Sequence, residues 1–295
     1  MTPAVRFPLT WLYAPGDRPH VVAKALKSGA DIVVVDLEDA VAPDRKDYAR
    51  DATAELLTEP PPVPIHVRVN AVDGPLAAAD LDAIAGLPGL AGLRLPKVSR
   101  AGQVARVAER TAAMVRGGES TDGEKGCAPA GGTGLPLYAL LESALAIEHA
   151  FAIASSHGSL CGVSIGEADL RADLGVPADA GLDWSRARVV VAARAAGLAP
   201  PTQCVHPDIR DLEGLAASCA HGRRLGFLGR AAIHPRQLPI IERAYLPTER
   251  ELEEAETIVK AATTQRGAQA LPDGRFVDAA VVAAAQRTLS LAHRC

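Results

Sequence analysis

The sequence predicts an α/β protein, a closed (β/α)8 TIM barrel followed by a C-terminal helical extension. Three observations lead there. Short β-rich runs bounded by Gly, Pro or acidic residues alternate eight times with stretches of helical spacing over about 240 residues. The β-rich runs are almost continuously apolar, as parallel strands buried on both faces require. The chain of 295 residues, 48% hydrophobic and 22% charged, is long for one ordinary domain but normal for an α/β barrel. A doubly wound open sheet is the rival, yet TWLYAPGDRP offers one glycine where a dinucleotide fold places GxGxxG.

In order, the expected strands are TWLYAP (10–15), DIVVVDLE (31–38), PIHVRVN (64–70), AGLRLPK (91–97), LPLYALLE (135–142), LCGVSIGE (160–167), TQCVHP (202–207) and GRAAIHP (229–235). Between them HVVAKALKSG, RKDYARDATAELL, RAGQVARVAERTAAMV, SALAIEHAFAIAS, WSRARVVVAARAAG and IRDLEGLAASCAHG carry helical spacing. Residues 1–240 are thus read as the barrel. The remainder, 241–295, is read as a helical lid that covers the barrel mouth or packs on a neighbouring subunit. GGESTDGEKGCAPAGGTG (117–134) is read as a polar linker inserted before the fifth strand, since it lacks the Lys-Ser/Thr of a phosphate loop.

A formal net charge of −4 leaves no basic footprint for nucleic acid, so an anionic ligand must be held by a local cluster. No apolar segment is long enough to span a membrane, and MTPAVRFPLTWLYAPGDRP is not patterned as a secretory signal. Five widely spaced cysteines (127, 161, 204, 219 and 295), without CxxC or finger spacing, suit a reducing cytoplasm and no zinc site.

In such a barrel, chemistry sits where the strands end. Here those ends deliver Asp36 and Glu38, Arg68 and Asn70, Lys97, Glu142, Glu167 and Asp169, His206 and His234. Any strand needs a polar residue as it surfaces, so each alone is ordinary. Together they converge on one mouth. Glu142 and Asp169 end neighbouring strands, where two carboxylates repel unless a cation or proton lies between them. Mg²⁺ takes one or two carboxylates and keeps waters that substrate oxygens replace. Singly, Glu142 reads as favouring a helix dipole and Asp169 as a helix N-cap; as a pair they read as metal ligands. Arg68, inside the apolar IHVRV, needs an acidic partner or an anionic substrate. Lys97 is either a counter-ion or, with a lowered pKa, a Schiff-base nucleophile. His206 and His234, each before a proline, read as strand terminators.

An ordered series of motifs then resembles the citrate lyase β-subunit-like CoA-ester lyases of the HpcH/HpaI aldolase family: TWLYAPGDRP, KSGADIVVVDLEDAVAPDRK, HVRVN, LRLPKV, ALLESA, DLRADLG, RVVVAARAAGL, VHPDIRD and AIHPRQ. The resemblance runs from about residue 10 to 290. It implies a Mg²⁺-dependent TIM barrel that makes or breaks a carbon-carbon bond between a small oxo-acid and an acyl-CoA. It puts the metal on Glu142 and Asp169 and the substrate carboxylate on Arg68. A C-terminal lid, lent to the adjacent subunit of a trimer or hexamer, would carry Asp278 of FVD as general base.

Two departures stand out. Leu9-Thr10 replaces the usual Arg-Ser, which on this reading removes a cation near the site, and GEAD shifts Glu167 one position away from Asp169. The substrate expected is a 3-hydroxyacyl-CoA bearing a carboxylate, of malyl, citramalyl or citryl kind. Asp36, Glu38 and Asp39 would orient waters on the cation and pair with Arg68, Lys97 or Lys46. Lys24, Lys46 and Arg18 are candidates for the CoA phosphates. The alternatives are a Schiff-base aldolase using Lys97 and a non-catalytic acyl-CoA-binding subunit.

Overall fold

The computed structural model describes residues 7–115, 134–264, 269–270 and 274–292. They form two compact units, one from Pro8 to Glu242 and the other mainly the stretch from Arg243 onward. All but Gly134 of the inserted stretch 117–134 lies outside the described residues.

The larger unit is built on seven parallel strands: β1 (Thr10–Pro15), β2 (Ile32–Asp36), β3 (Ile65–Arg68), β4 (Leu90–Leu95), β5 (Leu137–Leu141), β6 (Leu160–Ile165) and β7 (Arg230–Ala232). Their order is β6-β5-β4-β3-β2-β1-β7. Val33, Val34 and Val35 of β2 are fully buried, which is why that run shows no polar alternation.

The expected strand 202–207 is reduced to two parallel bridges, Ser164 with Thr202 and Gln203 with Arg230. These join β6 to β7 and close the ring. Pro200, Pro201 and Pro207 flank the segment and remove the N–H donors a regular ladder needs. Gln203 compensates from its side chain, donating to the Ser218 carbonyl at 3.2 Å. Gly222 makes room for it, since a Cβ there would lie 2.1 Å from the Gln203 Cδ.

Thr10 and Leu9 pin the N-terminal edge of β1. Asp31 Oδ2 accepts the backbone N–H of Leu9 at 2.9 Å and of Thr10 at 3.0 Å, and the Thr10 hydroxyl at 2.9 Å. The expectation that this pair removes a cation near the site is therefore corrected. Both residues are fully buried at the end of the barrel opposite the strand exits.

The expected helices form with bounds trimmed or shifted by a few residues; IRDLEGLAASCAHG, for example, forms as Leu212–Leu225. SALAIEHAFAIAS splits at His149 into Ala144–Glu148 and Ala150–Ala154, and an unexpected helix, Ala77–Ile84, connects β3 to β4. In the smaller unit Glu249–Thr264 and Ala279–Ala292 pack together. Short antiparallel strands β8 (Gln269–Ala270) and β9 (Phe276–Val277) lie between them in sequence. Thr248 and Glu251 form a reciprocal cap on the first helix. Among the described residues no helix is long and apolar enough to cross a membrane.

Candidate active site

The carboxyl ends of β2 to β6 bring most of the expected residues into one acidic cup. Asp36 and Arg68 end neighbouring strands as register partners, Asp36 buried and Arg68 half-buried. Arg68 Nε donates to Asp36 Oδ1 at 2.7 Å and Nη2 to Oδ2 at 2.6 Å, a bidentate fork. Asp36 also accepts the backbone N–H groups of Glu38 and Ala40, at 2.9 and 3.1 Å, turning the chain sharply so that Glu38 enters the cup. Arg68 Nη1 lies 3.1 Å from Glu38 Oε2 and 3.3 Å from Asp39 Oδ2. Its guanidinium is held firmly charged: the Asp36 bonds and the surrounding carboxylates outweigh burial. The fork is thus already committed to protein carboxylates, leaving the Nη1 edge on the cup side of Glu38 and Asp39.

Lys97 follows β4 with φ of +55°, the one non-glycine in left-handed backbone among the described residues. That twist lets it act in two directions. Its backbone N–H donates to Glu142 Oε2 at 3.1 Å, while Nζ donates to Glu38 Oε1 at 2.6 Å and lies 3.5 Å from Asp39. Burial would lower its pKa, but the Glu38 bond and the charges of Glu38, Asp39 and Glu142 raise it above the usual lysine range. A Schiff-base amine needs the opposite shift.

Glu142 follows β5 at 6% exposure, pressed against Gly166 at the exit of β6. A Cβ on Gly166 would sit 2.5 Å from Glu142 Cγ and Oε1. Burial, then repulsion from Glu38 and Asp169, push the Glu142 carboxyl up to about 8, against the attraction of Arg68 and Lys97. Burial also raises Glu38, opposed chiefly by its bond to Lys97. Asp169 is exposed in the first turn of the helix Glu167–Leu174, where the helix dipole favours an anion.

Five carboxylates (Asp36, Glu38, Asp39, Glu142 and Asp169) therefore face two cations, Arg68 and Lys97. Either Glu142 keeps a proton, or a divalent cation supplies the missing charge. Hard carboxylate oxygens from Glu142 and Asp169 suit such an ion, with its remaining positions left to water or ligand. Among the described residues no three His, Cys, Asp or Glu side chains are grouped to enclose a metal. The donor set fits an open two-carboxylate site and not a closed structural one.

Lys46 does not touch the cup carboxylates. Its ammonium donates to the carbonyls of Leu37 and Glu38, at 2.7 and 2.6 Å, and to Asn70 Oδ1 at 2.8 Å. All three of its donors are engaged, which leaves none for a phosphate. Asn70 in turn is held by Asp80 Oδ2, and Asp80 by Arg50, so a buried polar chain braces the β2 exit from behind. Asp278 belongs to the C-terminal unit, where its Oδ1 accepts the Val281 N–H at 2.9 Å and caps Ala279–Ala292. His234 caps the turn Pro235–Gln237 through Nδ1, and His206 lies 3.7 Å from Asp211.

Sequence reasoning missed Asp80, Gly166 and Arg186. Asp80 and Arg186 are charges inside otherwise apolar helical faces, and that misfit was the available signal. Arg94, 3% exposed on β4, was missed as well. It lies over the rings of Trp11 and Tyr138, at 5.8 and 5.5 Å to their centroids.

Residues 9–235 match the HpcH/HpaI aldolase/citrate lyase family. The chain belongs to that family. It is 33% identical over 294 residues to the citrate lyase subunit beta of Leuconostoc mesenteroides subsp. cremoris, covering 96% of this chain and 93% of the relative. It is 35% identical over 290 residues to the (3S)-malyl-CoA thioesterase of Cereibacter sphaeroides, covering 95% and 93%. Among solved structures, CitE from Mycobacterium tuberculosis in complex with magnesium, acetoacetate and coenzyme A superposes with a TM-score of 0.77 at 30% identity, over 97% of this chain and 98% of that one. The CitE structure shares the parallel α/β architecture described above.

Proposed function

We propose that this family member is a Mg²⁺-dependent carbon-carbon lyase or synthase. Its substrate is a 3-hydroxyacyl-CoA bearing a carboxylate, of malyl, citramalyl or citryl kind, and its products are an acyl-CoA and a small oxo-acid. The observation that carries the reading is Glu142, a desolvated carboxylate pushed to about 8 beside Asp169 in a cup short of positive charge. The magnesium and coenzyme A of the Mycobacterium tuberculosis CitE complex, and the named activities of the two relatives above, support it.

Glu142 and Asp169 would hold Mg²⁺, which when bound supplies Lewis-acid charge to substrate oxygens. In the cleavage direction the substrate hydroxyl gives its proton to solvent and becomes the oxo-acid carbonyl. The carbon-carbon bond breaks, and its electron pair passes to the thioester as an enolate. Arg68, through its Nη1 edge, stabilises oxygen charge as it develops. Lys97 holds Glu38 through its ammonium and opposes the upward push that burial gives that carboxyl. In condensation Asp278 removes the thioester α-proton, and in cleavage it returns one. For this, residues 241–295 act as a lid over a 1–240 barrel, lent between subunits of a cytoplasmic trimer or hexamer. The raised Lys97 argues against the Schiff-base aldolase.

The test is a panel of oxo-acids with acetyl-CoA and propionyl-CoA, with and without Mg²⁺. Hydroxyacyl thioester is followed by mass, and free thiol reports hydrolysis. Mg²⁺-dependent product that is insensitive to borohydride is expected. Thioester binding with no turnover on any oxo-acid would instead mark a non-catalytic binding subunit.

A further inference from the structure

The helix that carries Asp169 is held from outside the cup by one buried arginine. Arg186 is 3% exposed on the helix Asp183–Ala195. Its Nε donates to Glu167 Oε1 at 2.9 Å and its Nη2 to Glu167 Oε2 at 2.6 Å, a fork closed on the first residue of Glu167–Leu174. The same guanidinium donates twice to Asp179, at 2.9 Å each, and once to Asp183 at 2.9 Å. Asp179 also accepts from Arg171 at 2.9 Å, one turn beyond Glu167 on the Asp169 helix. Asp169 thus lies between two fastening points, Glu167 and Arg171, that meet at Arg186 and Asp179.

That helix is also registered against the Glu142 segment. Gly166 donates its backbone N–H to the Leu141 carbonyl at 3.1 Å, and Asp173 accepts the Ala144 N–H at 2.7 Å. Glu142 lies between Leu141 and Ala144. The spacing of the two carboxylates is therefore fixed by backbone contacts on one side and by Arg186 on the other. Asp169 itself is exposed, so its position comes from the helix that bears it.

We infer that Arg186, through Glu167 and Asp179, is a positioning residue that sets Asp169 at the distance from Glu142 needed for a shared divalent cation. The inference rests on the Glu142–Asp169 reading proposed above. An Arg fork of this kind fixes both distance and direction, which a lysine cannot reproduce. Partners one step behind metal ligands typically change metal affinity or activity by about 10–100-fold when they are mutated.

The experiment measures Mn²⁺ binding to the full-length protein by the loss of the free-ion EPR signal. Melting temperature, and activity against metal concentration, are measured alongside. Arg186→Lys should weaken Mn²⁺ binding by about tenfold, with activity recovering as metal is raised. Asp179→Asn, at a side chain 64% exposed, should weaken binding in the same direction by a smaller factor. Folded Arg186→Lys protein that binds Mn²⁺ as wild type does would overturn the inference. If Arg186→Lys does not fold, Asp179→Asn decides, and an unchanged affinity there overturns it equally. Asp169→Asn is the separate control: if it leaves Mn²⁺ binding intact, the two-carboxylate reading itself fails.

Discussion

Glu142 concentrates the chemistry of the cup in one group. Burial, then the charges of Glu38 and Asp169, push its carboxyl up to about 8 from an ordinary 4.5. The folded state therefore binds this proton more tightly than the unfolded chain does. Its stabilising contribution is complete below about pH 4.5 and is lost as pH rises through 8. In EDTA, Glu142→Gln should match wild type near pH 4.5 and exceed it above pH 8, by up to roughly 5 kcal/mol. Mg²⁺ should close that gap by stabilising wild type alone. Denaturant melts across this range check both. An equal pH dependence in wild type and variant would mean that Glu142 is not the strained carboxylate.

At the scale of elements, the junction between β6 and the helix Glu167–Leu174 decides how closely Glu142 can pack. Gly166 has φ of −92°, a backbone that alanine tolerates, so its glycine is required by contact and not by conformation. Gly166→Ala should cost about 1–3 kcal/mol through overpacking and should push Glu142 out of its seat. Melting temperature and Mn²⁺ affinity falling together would show it. Asp278 separates capping from catalysis in a different way. Asp278→Ala removes a helix cap worth about 1 kcal/mol, whereas Asp278→Asn keeps the cap and loses the base. Condensation activity lost in Asp278→Asn at an unchanged melting temperature is the expected outcome.

Legibility in the sequence followed the same physics. The run ending in Asp36 was readable because a doubly buried parallel strand must be apolar until it surfaces. Arg68 was readable because a guanidinium in an apolar run demands an acid. TQCVHP was over-read as a strand, since its β-prone residues hide the donors that flanking prolines remove. Leu9-Thr10 was misplaced because motif order along a chain does not say which end of a strand faces the mouth. The register does. Arg186 was hidden inside an alternation that reads simply as amphipathic helix.

For the whole molecule, a site proposed to borrow Asp278 from another copy is complete only in an assembly. A solution mass of three or six chains is expected, and monomer alone would remove the shared lid from the proposal. The ring closure carries a consequence of its own. From β1 to β6 each strand pairs with its successor in sequence, across crossovers far shorter than the barrel itself. Closure instead joins Thr10 to Arg230, nearly the length of the barrel apart, through β7 and the two bridges at Thr202 and Gln203. Loop-closure entropy makes that seam the last part to assemble and the first to open. Amide protons at Thr202 and Gln203 should thus exchange ahead of those in β2 and β3. Since β6 borders the seam and leads into Gly166 and Asp169, slow breathing of the barrel would be felt first on the Asp169 side of the cup and last at the Asp36–Arg68 pair.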